Sequence, residues 1–219
     1  MLRNKVRKTD TLIALNEVYE SIQGEGLLVG LPSVFIRLQG CNLRCPWCDQ
    51  PEALSFSGRK VKLSSLINEL KKFTAKHIVI TGGEPFAHRE LPFIVEFLLS
   101  EGYSVQIETN GTLWVEEMEK FAEGIHITCS PKGVAKYYVH PKILKYAKEL
   151  KFVVDKEFSK EVLKKEEFER FLREGKVVLQ PESNRKEMME KALKIQKELL
   201  KECYTVRVIP QVHKCFDLK

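Results

Sequence analysis

The chain alternates short apolar runs with amphipathic ones, and its most distinctive polar residues stand directly after the apolar runs. Strands are predicted over residues 33–38, 77–81, 103–108, 125–129, 149–154, 176–179 and 205–209. Helices are expected from Ser64 or Ser65, from near Glu90 to Gly102, over 114–121, over 141–147 and over 160–172. Asn184, with Glu187 three residues on, is expected to cap the longest helix, whose apolar face is Met188, Ala192, Ile195 and Leu199. Strand-helix repeats with short loops require a parallel sheet with right-handed crossovers. The segments after the strands are a cysteine loop at 41–48, Thr81-Gly82-Gly83-Glu84, Glu108-Thr109-Asn110-Gly111, Ser130-Pro131-Lys132, Gln180-Pro181 and Gln211-Val212-His213. In a parallel barrel these positions share the rim that binds ligands. About six or seven strands are too few to close an eight-stranded barrel. The expected fold class is therefore α/β, a partial, open parallel (β/α) barrel, as a single domain over 1–219.

Composition agrees with a packed core under a charged surface: 43% of the 219 residues are hydrophobic and 30% charged. The net charge of +6 permits an anionic partner without requiring nucleic acid. Residues 1–10 are polar and basic with no apolar run behind them, and no apolar segment is long enough to span a bilayer, so a cytoplasmic protein without a membrane partner is expected.

Cys41, Cys45 and Cys48 place three of the six cysteines in a C-x3-C-x2-C loop. A disulfide framework does not suit three such close thiols in a chain with no secretory signal. Zinc and a [4Fe–4S] cluster with one open iron both remain; either needs a fourth ligand, and the nearest other candidates are His77 and Cys129. Zinc would make the chain a mildly basic RNA-binding module, a cluster an enzyme. Cys129, Cys203 and Cys215 stand alone and read as small buried or semi-exposed residues, not ligands.

The aromatic Trp47 before the last cysteine, followed by Gly82-Gly83-Glu84-Pro85, resembles the radical S-adenosylmethionine (SAM) superfamily. Tyr19-Glu20-Ser21-Ile22-Gln23-Gly24-Glu25-Gly26, Pro32-Ser33-Val34-Phe35-Ile36-Arg37-Leu38 and Gln211-Val212-His213-Lys214 narrow the resemblance to the 7-carboxy-7-deazaguanine synthases. That resemblance implies a [4Fe–4S] cluster on Cys41, Cys45 and Cys48, with the open iron chelated by SAM. It implies SAM contacts at Trp47, Cys48, Asp49, Gly83, Glu84, Ser130, Pro131, Lys132 and Gln180. It implies 6-carboxy-5,6,7,8-tetrahydropterin as substrate, met by Ile22, Gln23, Gly24, Arg37, Thr81, Glu108, His213 and the terminal Lys219. Arg37 would clamp the substrate carboxylate through two parallel hydrogen bonds. The product would be 7-carboxy-7-deazaguanine, formed by radical ring contraction with loss of ammonia, for queuosine or archaeosine. A flavodoxin or ferredoxin donor, a homodimer and no need for nucleic acid are also implied. One residue departs from the family pattern. Gln50 stands where a Thr or Ser commonly ligates Mg²⁺, so the candidate Mg²⁺ ligand here is an amide oxygen.

Overall fold

A computed structural model describes residues 10–219. Residues 1–9, which carry most of the polar leader, lie outside the described residues. The strands are β1 Leu12–Ile22, β2 Pro32–Leu38, β3 Lys60–Lys62, β4 His77–Gly82, β5 Ser104–Thr109, β6 His126–Cys129, β7 Glu149–Val154, β8 Val177–Pro181 and β9 Arg207–Val208. They form one sheet in the order β3-β1-β2-β4-β5-β6-β7-β8-β9. β1 runs antiparallel to β2 and β3, and every pair from β2 through β9 is parallel. The order ends at β3 and β9, so the barrel stays open as expected.

The two-residue period of each strand decides what fills the two faces. Val34, Ile36 and Leu38 of β2, Ile78 and Ile80 of β4, Ile107 of β5, and Phe152 and Val154 of β7 are fully buried in the hydrophobic core. The main core helices are α1 Leu63–Leu70, α2 Leu91–Ser100 and α5 Lys186–Lys201; α3 Pro141–Tyr146, α4 Glu169–Arg173 and α6 Val212–Cys215 are short. The alternate positions face the concave side and are mostly polar: Arg37, Thr81, Gln106, Glu108, Thr128, Glu149 and Lys151. An inside lined this way is stable only if its polar groups pair with one another or with a ligand.

Helix α5 buries Met188, Ala192, Ile195 and Leu199, the four positions its periodicity assigns to the core. Its cap differs from the sequence expectation. Arg185 precedes the helix with no side-chain cap, and Asn184 adopts φ +54. The Asn184 amide is engaged elsewhere: its Nδ2 donates to the Gln211 carbonyl at 2.9 Å and its Oδ1 accepts from the Gln211 N–H at 2.8 Å.

Two other helices are not continuous. Segment 114–121 and the three residues after it form short 3-10 turns at Glu116–Lys120 and Ala122–Gly124. Met118 and Ala122 are its buried anchors, and a helix so short is marginal without more. Segment 160–172 divides into turns at Lys160–Lys164 and Glu166–Phe168 before α4. Leu163 and Phe168 are both fully buried, and a spacing of five does not return to the same face of a helix. An extended Lys165, with ψ 138, brings both to the core.

Candidate active site

The polar inside opens into a cleft of about 210 Å³ lined by the segments that follow the parallel strands. One wall is the cysteine loop. Its base is closed by Gln39, whose Nε2 donates to the Glu52 and Ser55 carbonyls at 2.7 Å each. The N–H groups of Gly40 and Cys41 bond the carbonyls of Ala53 and Leu54. Arg44 folds back on the loop, donating to the carbonyls of Cys41 and Leu43 at 2.7 Å. Cys41, Cys45 and Cys48 all line the cleft, and all six cysteines are free thiols. Among the described residues no three His, Cys, Asp or Glu groups are placed to hold one metal ion. The thiolates of an iron–sulfur cube each meet a different iron, and soft sulfur donors fit that core. Burial pushes the Cys41 and Cys45 thiols up, so loading a cluster must displace their protons.

The loop after β4 packs against this wall at very close range. A Cβ on Gly82, whose φ is +127, would lie 2.3 Å from the Leu38 backbone, and one on Gly83 would lie 2.0 Å from the Gly40 carbonyl oxygen. Both glycines are therefore required by backbone approach. Glu84 departs from the expected SAM contact. It is fully buried and does not line the cleft. Its Oε1 accepts from Thr109 Oγ1 at 2.6 Å and Phe86 N at 3.0 Å, and its Oε2 from Asn110 N at 2.7 Å. Burial pushes its carboxyl up, against the pull of those three donors. Glu84 thus ties the turn after β4 to the end of β5. Pro131 is also buried behind the lining.

Opposite the glycines, the Lys132 Nζ donates to Ser130 Oγ at 2.7 Å and lies 5.1 Å from the Trp47 ring centre. Burial, with Lys151 nearby, lowers the Lys132 pKa. Gln180 donates to Glu25 Oε1 at 3.3 Å, while its own Oε1 is buried with no protein partner. That orphaned acceptor, the half-buried ammonium and the glycine cradle fit a ligand carrying both donors and an anionic group, as SAM does.

The remaining wall is a charge network. Lys151 is paired with Glu25 and lies 3.8 Å from Glu108; its side chain is 7% exposed and that of Glu25 13%, so water screens the pair weakly. Burial alone would raise the Glu25 carboxyl, but Lys151 and then Gln211 hold it below its ordinary value. Glu108 also accepts from Thr81 Oγ1 at 3.1 Å and Gln23 Nε2 at 3.2 Å. Gln23 differs from its expected role of reading the pterin. Its Nε2 also donates to Gln106, its Oε1 accepts from the Glu25 N–H, and its backbone bonds Gly30 and Leu31. It is a strut under Glu108. Arg37 donates from Nε to Glu17 and from Nη2 to Tyr19, both at 2.9 Å, so a two-bond clamp on a substrate is not free.

The C-terminal segment closes the mouth. Gln211 Nε2 bridges Glu25 Oε1 at 2.8 Å and Asp49 Oδ2 at 3.0 Å, and Lys214 Nζ reaches Asp49 at 2.6 Å. Burial would raise the Asp49 carboxyl, but Lys214 and Gln211 keep it low. His213 lies so close to Gly24 that a Cβ there would meet its Nδ1 at 2.1 Å; burial lowers its pKa. Lys219 lines the cleft, with Nζ 2.7 Å from Glu17 and 5.0 Å from the Tyr19 ring centre. Ile22, Gln50 and Ser130 line it too. Sequence reasoning placed Gln211 on the rim and Glu25 in a motif without giving either a role, and missed Lys151. The signal for Lys151 was available: a Glu-x-Lys alternation inside a strand otherwise reading as buried.

Residues 35–190 match the model of the radical SAM superfamily. The open barrel with a cysteine-lined rim is therefore a radical SAM domain. Among curated proteins, the 7-carboxy-7-deazaguanine synthase of Haemophilus influenzae is 34% identical over 155 residues, 71% of this chain and 70% of that protein. The synthase of Hyperthermus butylicus is 40% identical over 154 residues, 67% of this chain and 65% of that protein. The crystal structure of QueE from Escherichia coli superposes with a TM-score of 0.74 at 27% identity, covering 96% of this chain and 98% of that one. The chain belongs to the 7-carboxy-7-deazaguanine synthase family.

Proposed function

We propose that this chain converts 6-carboxy-5,6,7,8-tetrahydropterin to 7-carboxy-7-deazaguanine by radical ring contraction with loss of ammonia. The supporting observation is one cleft that carries three thiols on one wall and Arg37, Thr81 and Glu108 on another. Cys41, Cys45 and Cys48 would hold a [4Fe–4S] cluster. Gly83, Ser130, Lys132 and Gln180, with the backbone of Trp47, Cys48 and Asp49, would hold SAM. Bound there, the cluster and SAM supply an electron and a carbon-centred hydrogen abstractor.

The chain's own residues bind and orient the substrate. Glu108, positioned by Gln23 and Thr81 and 3.8 Å from Lys151, suits the N–H edge of the pterin ring. Arg37 meets the substrate carboxylate with its charge and its remaining nitrogen, since Glu17 and Tyr19 hold the other two. Ile22, the Gly24 backbone, His213 and the terminal Lys219 enclose the ring. Gln50 lines the same cleft, and its amide oxygen is the proposed Mg²⁺ ligand. The proposal extends to a cytoplasmic homodimer served by a flavodoxin or ferredoxin, as the family resemblance implies. Among the described residues no helix is long and apolar enough to cross a membrane.

The test is anaerobic turnover of carboxytetrahydropterin by the iron- and sulfide-reconstituted, reduced protein with SAM, read by mass spectrometry. Product at the mass of 7-carboxy-7-deazaguanine, with SAM largely unconsumed, is expected. SAM cleavage without product would keep the superfamily and reject the substrate. Repeating the assay without Mg²⁺ and with Gln50→Thr tests the metal: a Mg²⁺ stimulation lost in Gln50→Ala and kept in Gln50→Thr is expected.

A further inference from the structure

We propose that Asp155 is a positioning residue for the cysteine loop, holding Trp47 and with it the segment between Cys45 and Cys48. The loop is stapled at its base by Gln39, and beyond Cys48 Asp49 is held by Gln211 and Lys214; the stretch between Cys45 and Cys48 has its own support. Trp47 supplies it: the indole Nε1 donates to Asp155 Oδ2 at 2.8 Å across 108 residues of sequence. Asp155 follows β7, on a turn that is itself anchored. Its Oδ1 accepts from the N–H groups of Glu157 at 3.1 Å and Phe158 at 2.8 Å. Phe158 is buried against Phe152, with ring centres 5.8 Å apart. From α5, Lys191 Nζ donates to the carbonyls of Asp155 at 2.8 Å and Lys156 at 2.6 Å. The acceptor that meets the indole is therefore held by its own turn, by contacts that do not involve the loop.

Lys132 stands over the half-buried ring of the same indole. Its ammonium lies 5.1 Å from the ring centre and is hydrogen-bonded to Ser130. A cation over the ring face draws on the ring's negative potential, and a carboxylate at the ring's N–H edge feeds it. Asp155 at the edge of the indole and Lys132 over its face thus hold Trp47 from two sides, with the segment after β7, the cysteine loop and the segment after β6 each contributing one residue. Phe at position 47 would keep the ring and lose the N–H.

This inference rests on the proposed cluster site, yet its first measurement is independent of any cluster. The chain has two tryptophans, so subtracting Trp47→Phe emission from wild type isolates Trp47 fluorescence in the metal-free protein. Asp155→Ala is expected to shift that emission to the red and raise its quenching by iodide, while Asp155→Asn, which keeps an oxygen acceptor, stays near wild type. In reconstituted protein, Asp155→Ala and Trp47→Phe should each speed anaerobic loss of iron to a chelator by about tenfold, the size of one charged hydrogen bond. The double variant should lose iron no faster than either single one, because both changes remove the same bond. The electron paramagnetic resonance signal of the reduced cluster should respond less to added SAM in both. Unchanged Trp47 emission in Asp155→Ala overturns the inference, as do rate increases that multiply in the double variant. A wild-type protein that accepts no cluster would reject the proposed function while leaving the fluorescence result to judge the Asp155–Trp47 contact.

Discussion

Gly83 carries the sharpest constraint at the scale of single residues. The Gly83 position leaves 2.0 Å between an added Cβ and the Gly40 carbonyl oxygen, and 2.7 Å to that of Ala53. Backbone cannot swing aside as a flexible side chain does. Gly83→Ala is expected to push the turn after β4 off the cysteine loop, breaking the Glu84 N–H to Gly40 carbonyl bond of 2.8 Å. The cost is about 1–3 kcal/mol of stability from overpacking, read by denaturant titration, with SAM affinity falling alongside it. Gly30, by contrast, has open space around its Cβ, and although its φ of +90 still disfavours a side chain, no loop contact is at stake there. The motif Gly82-Gly83-Glu84-Pro85 was visible in the sequence, and its place at the rim followed from the strand before it. The division of labour inside it was not visible. Glu84 points away from the cleft because three donors from Phe86, Thr109 and Asn110 satisfy it, and two of those belong to a strand end brought alongside only by the fold.

At the scale of elements, the segment after β9 is held by contacts that its own sequence does not announce. Asn184 pins both backbone groups of Gln211, and the Gln211 amide then joins Glu25 to Asp49. The cap-like pattern at Asn184 was legible, but as a helix signal. The same side chain can bond a neighbouring backbone in place of its own helix, and the tertiary partner won. Asn184→Ala should therefore leave α5 intact and loosen the tail. It is expected to cost about 1–2 kcal/mol through two lost hydrogen bonds, with helical circular dichroism unchanged. Because the Gln211 amide ties Glu25 to Asp49 in the cleft lining, the variant should raise KM for the pterin several-fold while SAM cleavage without product increases relative to turnover. An equal loss of helix content would mean that Asn184 is a cap after all. The broken segment at 160–172 teaches a related lesson. Leu163 and Phe168 are both buried, but the five-residue step between them requires an extended link, which a single helix over 160–172 conceals.

For the whole molecule, the alternation of apolar and polar residues made the open parallel barrel legible, and the charges that hold its interior together are what sequence left unread. Glu25, Glu108 and Lys151 come from three distant segments, and their pairing exists only once the sheet has formed. Folding stability should carry its signature. Burial would raise the Glu25 carboxyl, yet Lys151 lowers it, so the stabilisation from Glu25 is complete above about pH 4.3 and is lost as pH falls through its folded value. Burial would lower the Lys151 ammonium, yet Glu108 and Glu25 raise it, so its contribution is complete below about pH 10.4 and is lost as pH rises through its folded value. The pair therefore supports the fold across the whole interval between. Lys151→Met removes the cation and leaves Glu25 with Asp49 and Glu108 nearby, and with Gln211, Gln180 and the more distant Lys132 and His213 for company. Burial then dominates, the Glu25 carboxyl rises above its ordinary value, and ionising it costs stability. At neutral pH the variant should be about 3–5 kcal/mol less stable, the cost of breaking a buried pair from one side. The deficit should shrink as pH falls toward 4, where protonated Glu25 no longer needs a partner. Urea titrations of both proteins from pH 4 to pH 9 give the difference curve directly. A deficit that stays constant over that range would show that Lys151 acts through packing of its chain and not through its charge.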